Sequence, residues 1–128
     1  MIKDFLNVKV RGKKNEHFFD VYICDELLKD KKDKIAHKIR SEIHKNGDIF
    51  VKRIDVKRPV KNTDLKKIIS EISDVIERRK AKVAEIFIVS TSPFADSAKR
   101  YVKETKVKGH PINLIQERVN RHILVWMS

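Results

Sequence analysis

Five segments of the chain have the short apolar patterns that are typical of β-strands: residues 6–10, 17–24, 48–57, 84–90 and 112–115. The first two are rich in β-branched and aromatic residues and flank a turn that contains Gly12, which predicts a hairpin. Pro59 cannot donate to a ladder and marks the end of the third strand. The fourth segment is a nearly unbroken apolar run, which is typical of a strand that is covered on both faces.

Three helices are predicted between these strands. The first spans residues 25–45, and its apolar stripe comprises Leu28, Ile35, Ile39 and Ile43. Gly47 supplies its stop, because glycine tolerates the left-handed conformation. The second has Asn62 or Thr63 as its predicted N-cap, and its apolar face comprises Leu65, Ile68, Ile69, Ile72 and Ile76. The third opens with Ser92 as its N-cap and Pro93 as its first residue.

The order of these elements is β-β-α-β-α-β-α-β. It predicts an α/β fold in which a mixed central β-sheet is flanked by helices. The length of 128 residues fits a single domain over residues 1–128. Residues 119–127 are also apolar, but their pattern does not distinguish a helix from a strand.

Charge narrows the class of partner. The chain has 30 Lys and Arg against 18 Asp and Glu, which gives a formal net charge of +12. A field of this size favours a polyanion, and we expect that partner to be DNA. Heat adaptation is an alternative source of charged residues, but it normally raises both signs together.

The sequence also indicates a compartment. No apolar run approaches the roughly 18 residues that a membrane-spanning helix needs, and the first residues do not have the pattern of a signal peptide. Cys24 is the only cysteine and lies among aromatic and β-branched residues, which favours a buried free thiol. We therefore expect an intracellular, cytoplasmic protein without a membrane partner.

The sequence lacks the residue patterns of several common binding and catalytic sites. With three glycines, the chain has no glycine-rich phosphate loop of the P-loop or Rossmann kind. No two of its five histidines have the tight spacing of zinc ligands. Ser90 and Ser92 have no nearby His–acid pair in the sequence, so a hydrolase triad has no support.

The third strand carries the most specific chemistry. Side chains at i and i+2 of a strand share a face, so Asp55 and Lys57 project together. Metal-assisted phosphodiester cleavage uses such a pair: the carboxylate binds Mg²⁺ or Mn²⁺, and the lysine lies beside the attacking water and the phosphate. A second carboxylate must come from a neighbouring strand, and Asp20 is the candidate. The alternative is an ordinary ion pair on a solvated strand, since Asp-x-Lys is common in a lysine-rich chain.

The run from Ile54 to Pro59 follows a strand that contains an acid and precedes an amphipathic helix. In this arrangement it resembles the PD-(D/E)XK nuclease superfamily. Residues 86–101 resemble the strand, turn and helix of the Mrr-type restriction endonuclease catalytic domain, and residues 112–115 resemble its following strand. The resemblance covers residues 48–116.

This resemblance implies a restriction-endonuclease-like fold and Mg²⁺-dependent cleavage of DNA. Asp20 and Asp55 would then take the metal-ligand positions, and Lys57 would be the catalytic lysine. Other acids stay open, either for the first ligand or for an accessory one: Asp25, Glu26 and Asp48, or Glu16 and Glu42. Cations around the site are expected to bind the phosphate backbone: Arg53, Lys57, Arg58, Lys61, Lys66 and Lys67.

Two functions remain open from the sequence. The first is a DNA endonuclease or resolvase, expected as a homodimer so that two active sites can address two strands. The second is a non-catalytic nucleic-acid-binding module, possible for a degenerate member of the same fold. Only the enzyme requires Asp20, Asp55 and Lys57 to converge.

Overall fold

The computed structural model describes residues 6–29, 33–80, 84–107 and 109–117, without the side chains of residues 44–46 and 84. In chain order its elements are β1 (Leu6–Arg11), β2 (Glu16–Ile23), α1 (Asp25–Leu28), α2 (Lys34–Asn46), β3 (Asp48–Ile54), α3 (Asn62–Arg79), β4 (Ala84–Ser90), α4 (Asp96–Glu104) and β5 (Ile112–Gln116). The apolar tail at residues 119–127 lies outside the described residues.

The strands form one five-stranded sheet in the order β1-β2-β3-β4-β5. β1, β2 and β3 are antiparallel neighbours. β3, β4 and β5 are parallel neighbours, and helices α3 and α4 make the two crossovers. The predicted α/β fold with a mixed central sheet flanked by helices is therefore confirmed.

Two apolar clusters lie on opposite faces of the sheet. On one face, Phe50, Ile86 and Ile88 pack with α3 and α4 in the larger cluster. On the other face, Val51 and Val89 pack with Ala36 and Ile43 of α2. The residues of β3 and β4 alternate between the two clusters, because successive side chains of a strand point to opposite faces. The apolar run of β4 is thus covered on both faces, as predicted.

The helices follow the predicted faces more closely than the predicted ends. All five apolar residues predicted for the second helix are buried in α3. Its N-cap is Lys61, so the predicted caps Asn62 and Thr63 are wrong and both residues lie inside the helix. The predicted helix at residues 25–45 is instead α1 and α2, and Asp33 caps α2 by accepting a hydrogen bond from the Ala36 N–H at 2.6 Å. Gly47 ends α2 with a positive φ of 83°, as predicted. Cys24 is buried and free.

The third predicted helix begins three residues later than expected. α4 starts at Asp96 with Ala95 as its N-cap, so Ser92 is not the cap. The Ser92 hydroxyl donates instead to the Val56 carbonyl oxygen, and Phe94 forms a parallel bridge with Val60. These contacts tie the β4–α4 loop to the β3–α3 loop, and they prevail over the local tendency of Ser-Pro to open a helix.

The hairpin formed by β1 and β2 changes face near its middle. Val8 and Phe19 pack against the α3 side of the sheet, whereas Leu6 and Val21 pack against the α2 side. Asn7 lies at the change with a φ of 49°, a left-handed conformation that asparagine tolerates better than most residues. The residue opposite this break in the register is Asp20.

The tip of the hairpin is held by Asp74 of α3. The Asp74 carboxylate accepts backbone N–H groups of Lys14 and Asn15 at 2.9 and 3.1 Å, and it lies 2.7 Å from His17 Nε2. The contact is so close that a Cβ atom on Gly12 would overlap the carboxylate. Glycine is therefore required at the turn for close approach.

Within the described part of the chain, none of the helices is both long enough and apolar enough to cross a membrane.

We expect low pH to weaken the attachment of the hairpin turn to Asp74. The hydrogen bond from His17, with help from the Asn15 and Lys14 N–H groups, lowers the pKa of Asp74 from 3.8 to about 2. A carboxyl whose pKa is depressed on folding contributes stability above its unfolded value, and that contribution is lost as the pH falls through its folded value. Asp74 should therefore contribute at pH 6 and stop contributing between about pH 4 and pH 2.

Urea unfolding at pH 6 and at pH 3 measures this effect. Asp74→Asn should lower the unfolding midpoint at pH 6 and reduce the difference between the midpoints at the two pH values. Glu104→Gln, at an exposed position of α4, serves as the control and should keep the wild-type difference. A wild-type pH response in Asp74→Asn would contradict the assignment.

Candidate nucleic-acid and metal-binding site

The candidate site lies where the pairing of β2 with β3 stops. The two strands pair only through Val21–Ile23 and Ile49–Val51. Beyond these residues, β2 continues beside β1 and β3 continues beside β4. Side chains bridge the two strands here, and we call this place the β2–β3 opening, defined by Phe18, Asp20, Lys52 and Arg53.

Asp20 crosses the opening toward β3. Its Oδ2 accepts the backbone N–H of Arg53 at 2.6 Å. In the other direction, the Lys52 ammonium donates to the Phe18 carbonyl oxygen at 2.6 Å. Both bonds satisfy backbone groups that the interrupted ladder leaves unpaired, which explains how an acid is accommodated in so apolar a strand.

The structure places Asp20 beside β3. The sequence predicts that Asp20 lies near Asp55 and Lys57, which are far from it along the chain. Arg53, whose N–H it binds, lies two residues before Asp55 and four before Lys57. An acid of β2 therefore lies beside the end of β3 that leads into the segment with Asp55 and Lys57.

The third strand is shorter than predicted. β3 ends at Ile54, whose partner is the last residue of β4, Ser90. Asp55 and Lys57 are exposed residues of the loop that follows, so the i, i+2 rule for strands does not orient them. Val56, between them, is partly buried against the larger apolar cluster, and its carbonyl accepts the Ser92 hydroxyl. This contact fixes the middle of the loop and leaves its two charged neighbours facing solvent.

Arg58 is occupied by a neighbour. Its guanidinium makes two hydrogen bonds to Asp64, at 2.8 and 2.9 Å, and Asp64 also accepts the Lys61 N–H at 2.8 Å. Arg58 and this N–H lower the pKa of Asp64 to about 2. Arg58 thus stabilises the start of α3, and part of its charge is neutralised there.

Other predicted phosphate-binding residues are more accessible. Lys61, Lys66 and Lys67 are exposed at the N-terminal end of α3, which follows directly from the loop that holds Asp55 and Lys57. Lys66 Nζ lies 5.9 Å from the centre of the Tyr101 ring. These cations form the margin of the site on the α3 side.

Arg53 has the least satisfied side chain of the set. Its Nε is buried and has no hydrogen-bond partner within the described ranges. Buried polar atoms are nearly always hydrogen-bonded, and a guanidinium binds phosphate oxygens well because its N–H groups form a rigid planar fork. Because Arg53 is partly exposed beside the β2–β3 opening, its guanidinium is chemically suited to an anionic ligand there.

The alternative acids lie elsewhere. Asp48 is buried at the opposite end of β3 from Asp55, where it accepts hydrogen bonds from Tyr22 and Arg79. Arg79 also contacts Glu26, at 3.1 Å, and α1 places Asp25 beside Glu26. Glu16, the first residue of β2, forms an ion pair with Lys9 of β1 at 2.8 Å. Glu42 is exposed on α2.

The metal-ligand set is sparse. Considering residues 6–29, 33–80, 84–107 and 109–117, the structure has no group of three or more His, Cys, Asp or Glu side chains placed to hold a metal ion. The predicted pair Asp20 and Asp55 would supply two carboxylates, with one Asp20 oxygen already bound to the Arg53 N–H.

Sequence reasoning did not identify the structural partners of the site. Lys52 and Ser92 act through backbone carbonyl oxygens that are 34 and 36 residues away in the chain. The position of Asp20 in an apolar strand indicated that it needed a partner, but the identity of that partner depends on where the β2–β3 ladder stops.

Comparison of the chain with protein-family models, with curated proteins and with solved structures finds no match. The chemistry proposed for the site is therefore argued from the residues of this chain alone.

The bond between Asp20 and Arg53 predicts different outcomes for two substitutions. Asp20→Ala leaves a partly buried N–H without its acceptor and should lower the free energy of unfolding by about 1–3 kcal/mol. Asp20→Asn keeps an oxygen acceptor and should retain most of the stability. Urea unfolding measures both, and Asp55→Ala, at an exposed position, is the control that should match the wild type. Equal stability of Asp20→Ala and the wild type would contradict the structural role.

Proposed function

We propose that this protein binds DNA and cleaves its phosphodiester bonds in a metal-dependent reaction at the β2–β3 opening. The observation that carries the proposal is the hydrogen bond from the Arg53 N–H to Asp20. It directs a carboxylate of β2 to the end of β3, beside the segment that holds Asp55 and Lys57. The proposed fold is restriction-endonuclease-like, and the proposed assembly is a homodimer that addresses two strands.

The available donors suit a hard divalent cation. Carboxylate oxygens are the ligands that Mg²⁺ and Mn²⁺ prefer, and Mg²⁺ commonly binds one or two carboxylates with water and substrate phosphate completing its shell. Asp20 Oδ1 and the exposed Asp55 carboxylate would hold the ion. When bound, the ion would supply charge stabilisation at the phosphate and an activated water.

The chain's own cations would position the substrate. Lys57 is exposed two residues after Asp55, where its ammonium would bind a phosphate oxygen and stabilise the charge that develops on it. The Arg53 guanidinium would bind a second phosphate oxygen. Lys61, Lys66 and Lys67 would follow the backbone of the DNA away from the site.

Cleavage of plasmid, linear and branched DNA with Mg²⁺ or Mn²⁺ tests this proposal. The wild type should cut at least one of these substrates. Asp55→Asn, which weakens the proposed metal site, and Lys57→Ala, which removes a cation that stabilises the developing charge, should each reduce the rate roughly 100-fold or more. Lys103→Ala, which removes one exposed lysine of α4, controls for net charge and should cut at the wild-type rate.

Binding must be measured beside cleavage. Asp55→Asn should still bind DNA, because it removes a negative charge from the site. If the wild type binds DNA but cuts none of the substrates with either metal, the enzyme proposal is wrong and binding alone remains.

A second candidate function is binding without catalysis. It is favoured by the bond that already occupies one Asp20 oxygen and by the absence, in the described residues, of a cluster of three or more metal ligands. In this function, Asp20 is a structural acceptor and the cations bind the DNA backbone. The cleavage experiment decides between the two candidates.

Salt dependence should distinguish the cations of the site. Each lysine that neutralises a phosphate contributes about 0.9 to the slope of log affinity against log salt concentration. Lys66→Ala and Lys67→Ala should each reduce the slope for duplex DNA by about one. Arg58→Ala should change it less, because Asp64 holds that guanidinium. A larger slope change in Arg58→Ala than in Lys67→Ala would contradict this assignment.

A further inference from the structure

Phe18 is an exposed aromatic residue in the middle of a strand. Its side chain is 58% exposed, whereas its neighbour Phe19 is 1% exposed and packs in the larger apolar cluster. An isolated exposed apolar side chain is ordinary by itself. Phe18 differs in three respects: its backbone is held on both sides, a lysine lies over its ring, and it borders the proposed site.

The backbone of Phe18 is fixed from both sides. On one side it pairs with Lys9 of β1, and on the other its carbonyl oxygen accepts the Lys52 ammonium at 2.6 Å. An aromatic ring on such a backbone has only two rotatable side-chain bonds, so little conformational entropy is lost when a ligand packs on it.

The face that carries Phe18 holds two cations and one acid. The contacts of Lys9 with Glu16, at 2.8 Å, and with the Phe18 ring, 5.9 Å from the ring centre, show that these three residues share a face. Arg11 pairs with Glu16 in the ladder and follows Lys9 by two residues, which places it on this face too. We call this surface, comprising Lys9, Arg11, Glu16 and Phe18, the outer hairpin face.

The outer hairpin face continues into the β2–β3 opening. Phe18 is a member of both, Lys52 binds its carbonyl oxygen, and Asp20 lies two residues further along β2. Alternation along β3 places the Arg53 side chain on the same face of the sheet as Val51, which is the α2 side. The Phe18 ring points away from the α3 side, where Phe19 is buried, so the ring and the Arg53 guanidinium lie on one side of the sheet.

We propose that Phe18 is a stacking platform for an unpaired base of single-stranded DNA whose backbone lies along the β2–β3 opening. Proteins that bind single strands combine a positively charged surface with aromatic rings on which bases stack. In a duplex the faces of the bases are covered by their neighbours, so a ring on a strand can reach a base only where the DNA is unpaired. The substrate class is therefore DNA with a single-stranded segment, such as a tail, flap or branch.

This inference rests on the proposed DNA binding and makes it more specific. It predicts that the structure of the DNA, rather than its base sequence, governs affinity, because every base has a face that can stack. It also predicts that Phe18 acts on single-stranded DNA alone, whereas the lysines of α3 act on every DNA.

The test compares three DNA probes of one mixed sequence: a 20-nucleotide single strand, the blunt duplex, and the duplex with a single-stranded tail. Phe18→Ala should weaken binding of the single strand and the tailed duplex roughly 5- to 150-fold, the range measured when stacking aromatic residues are removed. Binding of the blunt duplex should change less than about twofold. Lys103→Ala is the charge control and should leave the ratio of the affinities unchanged.

Matched substitutions separate stacking from apolar contact. Phe18→Tyr keeps a ring and should bind the single strand as the wild type does, whereas Phe18→Leu keeps an apolar side chain without a ring and should fail as Phe18→Ala does. Full binding by Phe18→Leu would overturn the stacking role. Because Phe18 is exposed, all three variants should unfold at the wild-type urea concentration.

A spectroscopic measurement reports on the ring directly. The chain has one tryptophan, Trp126, so Phe18→Trp in a Trp126→Phe background places the only indole at this position. The single strand should quench and shift its fluorescence, and the blunt duplex should not. An unchanged spectrum at saturating single strand would overturn the inference.

Three further outcomes separate this inference from the function on which it rests. If the wild type binds and cleaves DNA while Phe18→Ala matches it on every probe, the stacking platform is wrong and the proposed function stands. If the wild type binds no DNA, both are wrong. If Phe18→Ala only alters the oligomeric state in sedimentation, the outer hairpin face is an interface between copies of the chain, and the stacking platform is wrong.

Discussion

The arrangement of the molecule depends on how briefly β2 and β3 are paired. Three residues of each strand form the ladder, yet this ladder joins the β1–β2 hairpin to the parallel half of the sheet. Before Val21, β2 pairs only with β1, and after Val51, β3 pairs only with β4. The hairpin tip therefore needs a different support, and Asp74 provides it by binding the turn to α3. A sheet that was paired along its full length would bury these backbone groups and would have no opening at this end.

The same constraint explains which polar groups meet at the opening. A ladder that stops leaves N–H and carbonyl groups unpaired, and such groups are costly unless side chains satisfy them. Asp20 and Lys52 supply one acceptor and one donor. The tertiary bond that makes Asp20 compatible with folding thus also holds its carboxylate at Arg53, two residues before Asp55. Stability and the proposed chemistry depend on the same side chain, so substitutions that preserve the acceptor are needed to separate them.

The features that could be predicted from the sequence are those that depend on a single helix or strand and on which of its faces is buried. The apolar face of α3 follows from helical periodicity, since any packed helix must bury such a face. The run in β4 follows from burial on both sides. The features that were missed depend on tertiary hydrogen bonds: Ser92 binds Val56 instead of capping α4, β3 stops three residues early, and Arg58 is bound to Asp64. No periodicity within an element encodes a partner that lies 36 residues away.

The exposure of Phe18 follows from the same break in the hairpin. Near Asn7 and Asp20 the two strands change the face that they present to α3, and this change buries Phe19 while its neighbour Phe18 faces outward. Turning Phe18 inward would require the opposite register, which would expose Val8, Val10 and Phe19 together, because a shift of one residue moves every side chain to the other face. Packing of the hairpin on α3 is therefore sufficient to keep one aromatic ring in solvent. The place of the ring beside Lys9 does not follow from packing, and that placement is what gives the ring its proposed role toward a polyanion.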